Sequence, residues 1–153
     1  MLIRNFKKED VPAVLDLAKE MLDYHHDIDP YYKPAVKFKN FKKEVSAWLK
    51  EKDTKVLVAE IDGEVVGYAR GGMEKAPAYA DKEKMGVVFD VLVARPYRKQ
   101  GIGKKLFIEL LDWFMAKKVK NIELSVDARN IVGIEFWKKF GFFEYKLRMR
   151  LDL

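Results

Sequence analysis

The densest chemistry in this 153-residue chain lies in a short loop, Arg98-Lys99-Gln100-Gly101-Ile102-Gly103-Lys104, set between an apolar run and an amphipathic one. A helix starting there leaves its first backbone N–H groups without partners and carries about half a positive charge, so an anion such as a phosphate docks readily. Two glycines let the main chain close around that anion. Just upstream, Asp90 sits within Val87-Val88-Phe89-Asp90-Val91-Leu92-Val93. A carboxylate in an otherwise apolar strand is costly unless it has a partner or a task. A structural salt bridge is the plain alternative to a proton-handling role.

Two elements must hold the loop. The run from Val87 to Val93 has the β-branched bias of a strand covered on both faces. Downstream, Ile102, Leu106, Phe107, Leu110, Leu111, Phe114 and Met115 recur at helical spacing and make one apolar stripe.

Around this unit the chain reads as a succession of strands and helices. Leu2 to Phe6 predicts a first strand, and Asp10 predicts a helix cap, with Pro12 tolerated in the first turn. That helix buries Val11, Val14, Leu15, Leu17, Ala18, Met21 and Leu22 and is expected to end before Tyr24, where an aromatic, polar loop runs to Pro34. A second helix carries Phe41, Val45, Trp48 and Leu49 on one side. Lys55–Ile61 and Glu64–Arg70 predict two strands joined by Asp62-Gly63, a strong hairpin signal. Gly71 to Gly86 lacks a period and reads as an irregular connection.

After the long helix, Ile122, Leu124 and Val126 alternate with Glu123, Ser125 and Asp127 as a strand. Asn130 opens a short helix with Ile131, Ile134, Phe136, Trp137 and Phe140 on its apolar side, and Gly141 stops it. Phe143 to Leu151 alternates strictly and predicts a last strand. The succession describes an α/β protein, a single-domain three-layer α-β-α sandwich over residues 1–153 with a mixed, mostly antiparallel sheet.

Composition narrows the function classes. With no cysteine there is no disulfide, thiolate metal site or cysteine nucleophile. The two histidines are adjacent, and neighbours on a chain seldom converge on one ion, so no metal is expected. No apolar stretch approaches the roughly 20 residues of a membrane span, and the amino terminus lacks a signal core. A cytoplasmic protein with no membrane partner is the expectation. Net charge is +6, but the lysines are interleaved with acids and no basic cluster or base-stacking motif stands out. The charge therefore argues for a solvated mixed surface and against a nucleic-acid partner. A charged content of 35% with a single glutamine and four asparagines resembles the usage of thermophile proteins.

The loop is compared with three phosphate-binding patterns. A P-loop needs Lys followed by Ser or Thr after its last glycine, but Lys104 and Lys105 follow Gly103. A dinucleotide fingerprint needs a third glycine where Leu106 stands, and its strand-to-glycine turn is shorter than Ala94 to Gln100. Arg98-Lys99-Gln100-Gly101-Ile102-Gly103 does match the signature of the GNAT superfamily of N-acetyltransferases: Arg or Gln, two residues, Gly, one residue, then Gly or Ala. The lead-in Asp90 to Tyr97 resembles that family's fourth strand and turn. Asn130 with Phe136-Trp137-Lys138-Lys139-Phe140-Gly141-Phe142 is similar to its second motif.

The resemblance implies acetyl-CoA as cosubstrate, lying between splayed fourth and fifth strands. Backbone amides from Gln100 through Gly101, Ile102 and Gly103 to Lys104 would hold the pyrophosphate, with Arg98 and Lys99 as charge partners. The backbone of Val91, Leu92 and Val93 would pair with pantetheine, and Leu92 or Val93 would supply the oxyanion donor. Asn130 would offer its amide or simply cap its helix. Asp90 would bind the acceptor ammonium or take its proton.

Where the family usually places an acidic tyrosine, this chain has Trp137, whose indole N–H cannot protonate a thiolate. Trp137 would line the cofactor or belong to the core, and Tyr145 is the substitute acid by position. His25, His26, Asp27, Asp29, Tyr31 and Tyr32 would border a cationic acceptor, or form an ordinary surface loop. The implied activity is transfer of acetyl to a primary amine of a small molecule or protein by direct attack. The rival is a catalytically weak CoA-binding sensor. Pairing through the late strands would make a homodimer, unless the chain covers that edge itself.

Overall fold

The computed structural model describes residues 1–81 and 83–153. Lys82, within the expected irregular connection, lies outside them. Five strands form one sheet in the order β1-β2-β3-β4-β5: β1 Leu2–Asn5, β2 Thr54–Ile61, β3 Glu64–Lys75, β4 Lys84–Val93 and β5 Ile122–Glu123. The first four run antiparallel, and β5 lies parallel to β4. Helices α1 (Val11–Ile28) and α2 (Phe41–Ala47) cover one face, and α3 (Ile102–Ala116) and α4 (Ile131–Lys138) cover the other. The expected α/β sandwich with its mixed, mostly antiparallel sheet is what forms.

Each face has its own core. Val14, Ala18 and Val45 from the helices meet Val58 and Tyr68 from the sheet, all at or near full burial. On the far side Leu106, Phe107, Leu110 and Phe114 of α3 pack on Ala59, Val66, Ala69 and Val88. The Phe114 ring lies so close to the sheet that a Cβ at Gly71 or Gly86 would come within 2.8 Å of it. These glycines are set by close approach, not by turns. This explains why β3 runs straight through Gly71-Gly72 to Lys75 where the sequence suggested an irregular connection from Gly71. The Asp62-Gly63 hairpin forms as expected, both residues adopting positive φ (50° and 84°).

Four further expectations are corrected. Helix α1 continues through Tyr24, His25, His26 and Asp27 to Ile28, because no breaker precedes Asp29-Pro30. Asp10 does not cap α1 through its side chain. Its carboxylate instead accepts from both terminal nitrogens of Arg4 (2.7 and 2.8 Å) and from the Lys7 N–H (2.8 Å). The strand expected from Ile122 to Asp127 is reduced to two residues, and residues 143–153 form no strand at all. Phe143, Tyr145, Leu147, Met149 and Leu151 of that tail are all exposed. Alternation there predicts how a strand would divide its faces, but an edge is needed to pair with it.

Candidate active site

Strand β5 pairs with β4 only at Gly86↔Ile122 and Val87↔Glu123. Beyond these pairs the strands part, and from Val88 onward the outer edge of β4 is open. Ala94 N–H donates inward to Val66 O at 2.8 Å. Because successive amides of a strand alternate in direction, Leu92 N–H also points into the sheet, while Val91 and Val93 point to the open edge. Of the two expected oxyanion donors, Val93 is therefore the one that faces the cleft. Its carbonyl lies on the same side and accepts from Arg98 Nε at 2.8 Å.

The loop continues from there. Lys99 (φ 63°) and Gly101 (φ 78°) are both left-handed, and this double reversal aims the start of α3 back toward the edge of β4. The first backbone bond into the helix is Lys105 N–H to Gly101 O (3.1 Å), so the amides of Ile102, Gly103 and Lys104 have no acceptor within the helix. A Cβ at Gly101 would meet nothing within 4 Å, and one at Gly103 would make only ordinary contacts with Phe136 and Val93. Packing does not demand either glycine. The open concavity of main-chain donors beside Lys99 and Lys104 suits an anion that must approach the backbone closely. Arg98 also pairs with Glu20 at 2.6 Å, which ties the loop to α1.

Asn130 does cap α4: its Oδ1 accepts from Gly133 N–H at 3.0 Å and also from the Tyr24 hydroxyl at 3.1 Å. Trp137 lies in an aromatic cluster, edge-on to Phe107, Phe136 and Phe142 at centroid distances of 4.8–5.5 Å. Tyr145 lies on the exposed tail and donates to a Glu123 carboxylate oxygen, which raises its hydroxyl pKa.

Asp90 faces α1 and α2, at the back of a cavity of about 440 Å³ that it shares with Met21, Phe41, Trp48, Glu51 and Arg70. Burial raises its carboxyl to about 6, against the opposing pull of the Arg70 charge. The Asp90 carboxylate makes no hydrogen bond or ion pair among the described residues, so the salt-bridge alternative is not what holds it. Tyr68 lies beside it with an unpartnered buried hydroxyl.

The loop residues after Asp27 separate from this cavity. Asp29 is buried and bound by Arg129 (3.0 Å) and Arg150 (2.9 Å), which hold its carboxyl well below the usual range. It stitches the end of α1 to the β5–α4 connection and to the tail. Tyr31 stacks under Arg150, Tyr32 is exposed, and His26 Nδ1 meets Tyr32 O at 2.6 Å. Arg70, Trp48 and Glu51 were not anticipated as site residues. The readable sign was an arginine two residues after Tyr68, and so in phase with a fully buried side chain on the α1/α2 face.

The Acetyltransferase (GNAT) family pattern matches residues 14–142. The chain belongs to this family. The acetyltransferase is 32% identical over 152 residues to the N-alpha-acetyltransferase of Sulfurisphaera tokodaii, covering 95% of this chain and 81% of that one. It is 29% identical to an N-acetyltransferase of Archaeoglobus fulgidus, covering 90% and 89%. Among solved structures, a variant of the BH1408 protein of Bacillus halodurans superposes with TM-score 0.89 at 22% identity, over 100% and 99% of the two chains. The aminoglycoside acetyltransferase AAC(6')-Iy, bound to a CoA-based bisubstrate analogue, gives 0.79 at 16% identity, over 99% and 97%. The acetyltransferase is thus an acetyl-CoA-dependent N-acetyltransferase. Among its described residues no helix is long and apolar enough to cross a membrane.

Proposed function

We propose that the acetyltransferase transfers acetyl to a primary amine by direct attack, with the amine held at Asp90 and acetyl-CoA along the open edge of β4. The observation that carries this reading is the adjacency of three features on one strand. The outer edge is unpaired from Val88, the donor-rich start of α3 follows it, and the cavity carboxylate Asp90 lies three residues before Val93.

In this reading the amides of Gln100 to Lys104 take the pyrophosphate, aided by Lys99 and by Arg98 once it leaves Glu20. Val91 and Val93 pair with pantetheine, and the Val93 N–H stabilises the oxyanion. A carboxylate that titrates near 6 is ionised at neutral pH and close enough to the working pH to accept a proton from an alkylammonium. The ammonium gives one proton to Asp90, and its nitrogen bonds to the thioester carbon. The C–S bond breaks. The thiolate takes up the proton held on Asp90 by way of solvent, which restores the carboxylate, and the second ammonium proton is released, so the reaction yields amide, CoA thiol and one free proton.

Trp137, packed among phenylalanines, leaves the thiolate without a neighbouring acid at that position. A thiol of pKa about 8.5 departs as a thiolate without one. Tyr145, engaged with Glu123, would need to exchange that partner to serve. The S. tokodaii relative acts, by its name, at an α-amino group, which supports an α-amine over a side-chain amine as acceptor. His25, His26 and Asp27, on the last turn of α1, would border the entrance for the acceptor.

The exposed alternating tail supports a homodimer. Its apolar side chains Phe143, Leu147, Met149 and Leu151 alternate with charged ones, so pairing with a second copy would bury an apolar row that its own chain leaves exposed.

Thiol release from acetyl-CoA across a panel of primary amines tests the catalytic reading. Amine-dependent release that Asp90→Asn abolishes supports it. Tight CoA binding with no amine-dependent release favours a sensor instead.

A further inference from the structure

Arg70 and Asp90 are cross-strand partners on β3 and β4, share one cavity and carry opposite charges, yet they form no ion pair. The register shifts between Arg70 and Gly71, which leaves Phe89 as the extra residue on β4. Its ring lies over the Arg70 guanidinium at 4.6 Å, and the Trp48 ring lies at the same distance. Held by two rings, the guanidinium spends one terminal nitrogen on Glu51 at 2.7 Å. Its Nε is buried without an acceptor. Asp90 is likewise without a donor. Arg70 thus keeps unused donors beside its Glu51 ion pair, while the Asp90 carboxylate has no counter-charge in contact among the described residues. A ligand carrying both charges on adjacent atoms satisfies them together.

We propose that the acceptor cavity is built for an α-amino acid in its zwitterionic form, with the carboxylate on Arg70 and the α-amino group on Asp90. This rests on the reading above that Asp90 receives the acceptor amine, and adds to it what the rest of the acceptor must be. Arginine suits the role because its planar fork holds a carboxylate through two parallel bonds, and Glu51 occupies only one of its donors. The rings of Trp48 and Phe89 keep the fork from swinging onto Asp90 when the cavity is empty of substrate. Met21, Leu22, Phe41 and Trp48 supply apolar wall, which matches an uncharged side chain. With Glu44 at the rim, the cavity also holds three carboxylates. A polyamine is the competing acceptor, and the experiment separates the two.

The test is initial-rate thiol release at saturating acetyl-CoA with leucine, leucinamide, 3-methylbutylamine and spermidine. Leucine is expected to exceed leucinamide and 3-methylbutylamine in kcat/KM by at least about 100-fold, the size of effect seen when a buried charged partner is left unmatched. Arg70→Met should bring that ratio near one by raising the KM for leucine, with the KM for acetyl-CoA unchanged. Glu51→Gln, which removes the carboxylate charge that competes for the fork, should lower the KM for leucine. Equal or better turnover of leucinamide, 3-methylbutylamine or spermidine by the wild-type enzyme overturns the proposal, as does an unchanged preference in a folded Arg70→Met variant. If none of the four is acetylated while acetyl-CoA still binds, the placement of an amine at Asp90 falls as well, a result distinct from a mere change of preference.

Discussion

The Arg98 guanidinium donates to the main-chain carbonyl of Val93 at 2.8 Å, joining the first residue of the loop to the last residue of β4. The contact sets the distance between the amides at the start of α3 and the open strand edge, the two surfaces that a single coenzyme would have to span. Its second bond, to Glu20, extends the brace to α1.

Loss of that brace should be felt in cofactor affinity. Arg98→Ala is expected to raise the KM for acetyl-CoA about 10-fold, with a smaller effect on kcat, because the bond to Val93 is lost together with the proposed phosphate partner. Glu20→Ala should leave the Val93 contact and change the KM by less than half as much. Steady-state kinetics with acetyl-CoA varied distinguish the two.

The buried carboxylate of Asp90 costs stability. Its carboxyl is raised from 3.8 to about 6, so the folded protein holds a proton there that the unfolded chain has already released between those pH values. Stability from this group is present at low pH and lost as pH rises through about 6. Asp90→Asn should therefore unfold at higher denaturant at pH 8, by on the order of 2 kcal/mol, and show no such gain near pH 3.5. The same variant should lose at least about 100-fold in kcat, and the acidic limb near pH 6 should vanish from its kcat/KM profile. Denaturation at the two pH values and a pH–rate profile check this together.

The ion cluster at Asp29 has the opposite sign. Arg150 and Arg129 hold its carboxyl below the ordinary range, so its contribution is present at neutral pH and lost as acid protonates it below about pH 4. Asp29→Asn or Arg150→Ala should release the tail. Protection factors for hydrogen exchange at residues 29–32 and 143–153 should fall in either variant at pH 7, and in the wild type on acidification.

The exposed tail yields a further expectation. Leu147→Glu with Met149→Glu places charge among apolar side chains that a strand-paired dimer would bury. Sedimentation should find the wild type dimeric at micromolar concentration and the double variant monomeric.

Legibility in the sequence followed local physics. The Asp62-Gly63 turn could be read because its two positive φ angles admit few other residues, and α3 because its apolar stripe repeats without interruption. The glycines at 71 and 72 misled because they mimic turn signals while answering to the rings of Phe114 and Phe89. The reach of α1 was hidden by the polarity of His25-His26-Asp27, although only Asp29-Pro30 stops it. Asp90 stood out from its own strand. Its neighbour Arg70 did not, since what marks it is a pair of rings from α2's end and from β4, a meeting that only the assembled fold brings about.

Isothermal titration with coenzyme A and with pantetheine, on the wild type and on Gly101→Asp, tests most directly whether the start of α3 grips a diphosphate. The wild type should bind coenzyme A with micromolar affinity and pantetheine at least about 100-fold more weakly, and Gly101→Asp should lose the difference. Equal affinity for the two ligands, or a Gly101→Asp protein that binds coenzyme A unchanged, would contradict it.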